Sequence, residues 1–481
     1  MVVVLLVATL TAVCTYIFRI YVARNYTVAE YGLFYSTLAF FSLVLVVVDL
    51  GLFQAQVRHI SELRAKSNDS EIKSVLFTSL VFQTCIALFL SIVMYFLSDL
   101  ITIHFFHVSN TLLFNFLLIW FLTYPMYYFV GVYTLSYEKT TWWSFFELIR
   151  ILFMLVVAIS LSCFKIGILS VLIAYALVNI FIFILLLLLK RRFFIKKNFK
   201  IKFGSIYPNT IKYGLFVGVG GFAWIALTQM DTLMVTYFLG LTSVGLYQVA
   251  VPIATILTTI IGTISGVLLS KASNLFANNK KEELSSLFLL IQKYILLFVL
   301  PLTLMLMLFS NLVISLLFSE KYLAAKNVLS ILSFAYLFSA MSVIMFYLLV
   351  AIGHAKKASK TFILGAIINI VLIYVFMMKF GLDGVAIAVL ITHLIVFTVL
   401  SIYTYRLLTH KFQVMIWIKA IISSIMFGLS IFIVKAILHL NYIIETVLCI
   451  AIASTIYLLC CYFLGLISWK ELDFLKNIRK K

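Results

Sequence analysis

Residues 181–221 read FIFILLLLLKRRFFIKKNFKIKFGSIYPNTIKYGLFVGVGG. An oily run ends at Lys190, Arg191 and Arg192. A polar stretch follows with Lys196, Lys197, Lys200, Lys202 and Lys212, and a second oily run begins. About 20 consecutive apolar residues are needed for a helix to cross bilayer hydrocarbon, and loops rich in Lys and Arg stay in the cytoplasm. The stretch therefore reads as a basic cytoplasmic connector between two spans, and it is the longest polar stretch in the chain.

The same pattern recurs outward in both directions. The spacing predicts fourteen spans, at 2–23, 32–54, 74–97, 112–135, 143–163, 167–189, 213–238, 245–269, 294–317, 328–351, 361–379, 384–405, 412–434 and 440–466. Their length and continuous apolarity argue for helices, because barrel strands would be about ten residues long with alternating polarity. With the N-terminus inside, 27 of the 36 basic residues fall in internal gaps and the tail, six fall in external gaps, and Arg19, Arg150 and Lys419 fall within spans. One missed helix would scramble that alternation, so both termini are expected in the cytoplasm.

Composition agrees. The chain has 481 residues, 65% hydrophobic and 11% charged, against about 25% charged in a soluble domain. The net charge of +20 sits in small clusters at membrane exits, where it attracts anionic lipid headgroups; no nucleic-acid partner is expected. The six cysteines all lie in apolar segments without metal-ligand spacing, and the adjacent Cys460 and Cys461 are poorly placed for an ordinary disulfide. His104 and His107 share a short external gap with no further ligand nearby, so neither metal nor cofactor is expected. The opening MVVVLLVATLTAVC lacks a basic leader and a cleavage site; it reads as the first span, with a short cytoplasmic leader missing.

The chain repeats itself. Lys165-Ile-Gly-Ile-Leu-Ser-Val-Leu-Ile-Ala174 resembles Lys379-Phe-Gly-Leu-Asp-Gly-Val-Ala-Ile-Ala388, and Tyr31-Gly-Leu-Phe34 resembles Val244-Gly-Leu-Tyr247, at nearly one offset. Spans 1–6 then map onto spans 7–12 with the same orientation, as parallel repeats do. The expected architecture is an all-α polytopic membrane protein of about 14 transmembrane helices. It comprises an N-lobe (1–189), the basic connector (190–212), a pseudo-symmetric six-helix C-lobe (213–405), and two C-terminal helices with a basic tail (406–481).

Charged side chains within spans cost about 2.5–3.5 kcal/mol at midplane and invite a functional reading. Arg19 and Asp231 lie about two turns before the external end of the first span of each half. The offset places Arg19 opposite Thr232, next to Asp231. One reading pairs them when a central cavity is closed outward and lets Arg19 bind an anionic substrate when it opens inward; the other has Arg19 snorkel to the surface. Asp49 is either a coupling-proton carrier, since burial raises a carboxylate's pKa, or has a structural role, accepting hydrogen bonds from a neighbouring helix. Glu147 and Arg150 share a helix face, either neutralising each other near the cytoplasmic rim or adding Arg150 to the entry side of a cationic path. Arg58 marks a membrane exit. Trp142, Trp143, Tyr124, Tyr127 and Tyr128 read as interfacial or packing aromatics. Pro125, Pro252 and Pro301 fall within spans, where each frees a backbone carbonyl.

Several motifs together resemble a known family. Ala23-Arg-Asn-Tyr-Thr-Val-Ala-Glu-Tyr-Gly-Leu-Phe34 resembles its "aRyLgpeeYGly" start, and Asp49-Leu-Gly-Leu52 with Arg58 resembles its "DLGl…R". Asp231 with Gly240-Leu-Thr-Ser-Val-Gly-Leu-Tyr247, Leu317-Phe-Ser-Glu-Lys-Tyr-Leu-Ala324 and Ala351-Ile-Gly-His354 resemble later motifs, in order. Ser319 stands where Gly is usual, and His354 where Arg or Lys is common. The family is the Wzx-type O-antigen and polysaccharide flippases of the multidrug/oligosaccharidyl-lipid/polysaccharide exporter superfamily.

The resemblance implies a non-enzymatic transporter in a bacterial cytoplasmic (inner) membrane that moves undecaprenyl-pyrophosphate-linked oligosaccharide, an O-antigen, capsule or lipopolysaccharide unit. It also implies coupling to protons or sodium ions, and work beside a polysaccharide polymerase and chain-length proteins. It brings Arg58 to headgroup phosphate. A multidrug antiporter and a lipid II flippase are rivals with the same fold. A membrane polymerase would need larger external loops, and there is no nucleotide-binding glycine loop.

Overall fold

The computed structural model describes residues 2–65, 69–191, 207–408, 414–437 and 442–466. Among them there are helices and no strands. In chain order these are α1 (Val2–Asn25), α2 (Val28–Asp49), α3 (Leu52–Ala65), α4 (Asp69–Phe96), the short α5 (Ser98–His104), α6 (Leu112–Ser136), α7 (Thr140–Ser162), α8 (Leu169–Leu189), α9 (Tyr207–Leu239), α10 (Leu241–Ala277), α11 (Lys281–Leu308), α12 (Ser310–Leu317), α13 (Lys326–Ala351), α14 (Ala355–Leu408), α15 (Val414–Ile437) and α16 (Tyr442–Phe463).

Among the described residues, eleven helices are long and apolar enough to cross a membrane. One of them, α14, has 54 residues, about 80 Å if straight against about 30 Å of hydrocarbon. It is two spans joined at Gly381, whose φ of 56° and ψ of −133° suit a residue without a Cβ. The shorter apolar helices Ile225–Leu239 and Leu448–Phe463 occupy the seventh and fourteenth expected spans. Most of the connector, 192–206, and the tail, 467–481, lie outside the described residues.

The second expected span, 32–54, ends early. Leu50 (φ 47°) and Gly51 (φ 70°) turn left-handed, which stops α2 at Asp49. The amphipathic α3 then begins, with apolar Leu52, Ala55, Ile60 and Leu63 buried. At the other end of α2, Thr27 and Glu30 form a reciprocal capping box: the Thr27 hydroxyl accepts from the Glu30 N–H, and the Glu30 carboxylate accepts from the Thr27 N–H.

The chain divides into two compact units, 1–248 with 317–321, and 249–316 with 322–481. In the first, α1 packs on α7, α6 on α8 and α4, and α9 on α2 and α3. Glycines permit two very close backbone approaches there. A Cβ on Gly32 would lie 2.0 Å from the Leu241 carbonyl oxygen, and one on Gly51 would lie 2.1 Å from that of Gly214. In the second, the core runs through Leu257, Phe288, Leu296, Ile344, Leu348 and Leu400, and α15 pairs with α16.

Two of the interior prolines have their orphaned carbonyls satisfied by tyrosines. Proline at position i removes the bond to the carbonyl of i−4. For Pro301 that carbonyl is Leu297, which accepts from the Tyr457 hydroxyl at 2.8 Å. For Pro252 it is Gln248, which accepts from the Tyr31 hydroxyl at 3.3 Å. A buried carbonyl left without a donor is costly, so each tyrosine offsets what its proline removes.

Candidate functional site

Arg19 lies six residues before the end of α1, about 9 Å below it at 1.5 Å per residue. Its guanidinium sits over the Tyr35 ring, 4.3 Å from the centroid, and Tyr35 lies seven residues into α2. The charge therefore stays deep and does not reach up to the helix end. The phenols of Tyr31, Tyr175 and Tyr16 surround it within electrostatic range. The side chain is partly accessible, yet its Nη1 is enclosed without a hydrogen-bond partner. Arginine does not shed its proton in proteins, so a cation with an idle donor is held among aromatic rings.

Asp231 lies eight residues before the end of α9, about 12 Å at 1.5 Å per residue. The two are not joined. Asp231 is 4% exposed; one carboxylate oxygen accepts from the Tyr247 hydroxyl at 2.6 Å and the other from the Thr232 N–H at 2.7 Å. The Gln248 amide donates to the Thr232 hydroxyl at 2.7 Å.

A second charged cluster lies below. Arg150 is ten residues into α7, about 15 Å from its start, close to half the hydrocarbon thickness. It pairs with Glu147 at 3.1 Å, so the neutralising reading is realised. Its Nε, however, is enclosed without a partner, and about a quarter of its side chain stays accessible. The other Glu147 oxygen accepts from the Tyr127 hydroxyl at 2.6 Å, and the guanidinium lies 5.0 Å from the Tyr127 ring centroid. Tyr175 is within electrostatic range of both Arg150 and Arg19. Tyr124 packs edge-on against Trp120 and Tyr128. Of the aromatics read as interfacial or packing, Tyr124 packs against other rings and Tyr127 bonds and faces the Glu147–Arg150 pair.

Asp49 and Arg58 stand apart. The Asp49 carboxylate, at the end of α2, accepts from the Phe53 N–H of the neighbouring α3 at 2.9 Å, one of the first-turn donors that have no partner within their own helix. Arg58 is exposed on α3 and pairs with Glu62 at 3.0 Å. Sequence reading missed Tyr31, Tyr35, Tyr175, Tyr247 and Gln248. The signal available was Tyr31 and Tyr35, four apart on one helix face.

The fold defines a class: a multi-pass helical membrane protein. The solved structure of lipid II flippase MurJ, in its inward closed conformation, superposes with a TM-score of 0.76 at 19% identity, covering 96% of this chain and 99% of that one. An inward-facing multidrug resistance MATE family transporter of the MOP superfamily superposes at 0.66 with 16% identity, over 84% of this chain and 94% of the other. An uncharacterized membrane protein of Methanocaldococcus jannaschii is 27% identical over 98% of this chain and 96% of its own length. A protein of Haloferax volcanii named as a probable low-salt glycan biosynthesis flippase is 21% identical over 52% of each chain. The MatE family matches residues 219–375, and the family described as polysaccharide biosynthesis protein matches residues 1–269. The chain belongs to the polysaccharide biosynthesis protein family.

Proposed function

We propose that the protein is a flippase that carries a polyprenyl-pyrophosphate-linked oligosaccharide from the cytoplasmic to the outer leaflet by alternating access, its lipid tail remaining in the bilayer. The carrier expected is undecaprenol and the cargo an O-antigen, capsule or related unit, with proton or sodium coupling. The observation that carries the reading is Arg19, a permanently charged side chain deep in the membrane with an enclosed, unpartnered nitrogen, in a polysaccharide biosynthesis family member. A pyrophosphate needs such donors in low dielectric, where charge-assisted hydrogen bonds are strong. Arg150, although paired with Glu147, offers a further enclosed, unpartnered N–H below, and Arg58 meets headgroup phosphate on the cytoplasmic side. Asp231 and Asp49 are the candidate coupling carboxylates.

Topology follows from charge placement: both termini in the cytoplasm, in the cytoplasmic membrane of a bacterial or archaeal cell, two curated relatives being archaeal. The lobes expected at 1–189 and 213–405, with the connector between them, would rock about the site, beside polymerase and chain-length partners.

The test is leaflet distribution. Deleting the protein should make lipid-linked oligosaccharide accumulate on the cytoplasmic leaflet, and re-expression should clear it. An unchanged distribution overturns the proposal, and accumulation of lipid II instead would reassign the cargo.

A further inference from the structure

Arg19 and Asp231 do not touch, yet one continuous buried path joins them. The guanidinium rests on Tyr35. Tyr35 packs on Tyr31 with centroids 4.7 Å apart. The Tyr31 hydroxyl donates to the Gln248 carbonyl. The Gln248 amide donates to the Thr232 hydroxyl, and Thr232 donates through its N–H to Asp231. Tyr31, Tyr35, Gln248, Thr232 and Asp231 are all buried.

The middle link has a cause in the chain. The Gln248 carbonyl is open to Tyr31 because Pro252, four residues on, has no N–H to offer it. The two helices are also locked at that level. A Cβ on Gly32, next to Tyr31, would strike the Leu241 carbonyl, and one on Gly245 would lie 2.2 Å from the Val28 carbonyl. Backbones this close leave little slack, so a change at one end of the path is transmitted rather than absorbed.

We propose that the Tyr31–Gln248 link opened by Pro252 is a coupling element: it makes anion affinity at Arg19 depend on the state of Asp231, and the converse. This rests on reading Arg19 as an anion site. An anion drawing on the guanidinium loosens its hold on Tyr35 and, through Tyr31, on the turn of α10 that carries Gln248. Neutralising Asp231 by a proton or a cation releases Thr232 and Tyr247, and through Gln248 reaches the same turn. Linkage then requires equal and reciprocal effects at the two ends. Tyr31, Tyr35 and Gln248 are positioning residues in this scheme, touching neither ion directly.

The test is a mutant cycle with sulfate as probe, an anion whose charge is constant across neutral pH. Sulfate is titrated calorimetrically into the purified full chain in chloride-free detergent. Asp231→Asn should tighten sulfate binding about fivefold or more. In a Tyr31→Phe background the same substitution should change it less than about twofold. Pro252→Ala, which restores the helical N–H and competes for the Gln248 carbonyl, should uncouple likewise should Tyr31→Phe fail to fold. An Asp231→Asn effect of equal size in every background is through-space electrostatics and overturns the coupling while leaving the anion site intact; no effect in the wild-type background overturns it too. Failure of the wild-type protein to bind sulfate, or unaltered binding by Arg19→Gln, removes the anion site itself and the coupling with it.

Discussion

Arg19 is held by a ring face, and that detail separates arginine from lysine. A guanidinium is flat and weakly hydrated and stacks on aromatics; an ammonium is a compact, strongly hydrated point charge. A desolvated cation–π contact is worth about 2 kcal/mol. Arg19→Lys should therefore lower export at least about tenfold, since about 1.4 kcal/mol is a factor of ten, although formal charge is conserved. The measurement is clearance of lipid-linked oligosaccharide from the cytoplasmic leaflet in a deletion strain carrying the variant. Asp49 poses the opposite question, because its carboxylate already has a structural task. Asn keeps an acceptor oxygen for the Phe53 N–H, whereas Ala removes that hydrogen bond, a loss of about 1 kcal/mol. Asp49→Ala should lower thermal stability in detergent and Asp49→Asn should not. If Asp49→Asn also exports normally, the residue serves the first turn of α3 and carries no ion. Sequence singled out Arg19, Asp231 and Arg150 because a charge inside an apolar run is conspicuous, but it put Arg150 near the cytoplasmic rim, whereas it lies ten residues into α7. It did not reveal what each touches, since Tyr35, Tyr175 and Gln248 come from other helices, and a tyrosine in an oily run looks the same whether it faces lipid or a guanidinium.

At the level of helices, the two ends of α2 depend on absent side chains. Gly32 meets Leu241 and Gly245 at one end, and Gly51 meets Gly214 and Gly218 at the other. Overpacking a tight contact costs about 1–3 kcal/mol, and both obstructing atoms here are backbone, which cannot swing aside as a side chain would. Gly32→Ala and Gly51→Ala should each lower the unfolding temperature in detergent markedly. Gly167→Ala is the control: nothing lies within 4 Å of the added methyl, and only its φ of 63° is strained, a cost of about 1–2 kcal/mol. Gly51 also carries φ of 70°, so Gly51→Ala should be the worst of the three. The periodic oily runs showed where helices lie because length alone demands it. The early end of α2 was hidden, because Asp49-Leu-Gly-Leu52 reads as apolar continuation until Gly51 turns left-handed. Pro252 and Pro301 imply the freed carbonyls, but the tyrosines answering them, Tyr31 and Tyr457, lie 217 and 160 residues away from those carbonyls in the chain and have no local signature.

For the molecule as a whole, orientation is a quantity that the charge pattern predicts and helix geometry alone does not. Each Lys or Arg cluster near a span resists translocation, and the short gaps between helices leave few places where a label could be ambiguous. The capped turn at Tyr26 and Thr27, the turn at Phe164 to Gly167, and the segment from Ser319 to Lys321 should face outward. Asn279 between α10 and α11, Glu138 between α6 and α7, and Gly353 between α13 and α14 should face the cytoplasm. In a chain whose six native cysteines are replaced, single cysteines at Thr27, Gly167 and Glu320 should react with a membrane-impermeant maleimide in intact cells. Cysteines at Glu138, Asn279 and Lys356 should react only after permeabilisation. Because consecutive short gaps must alternate sides, one site labelled from the wrong face forces either an unrecognised span or inversion of every site beyond it. Labelling reversed at all six would leave the helices where they are but put the Lys and Arg clusters outside, turning Arg58 and α3 away from the leaflet where a cytoplasmically made lipid-linked saccharide begins its passage, and the export proposal would fail on direction alone.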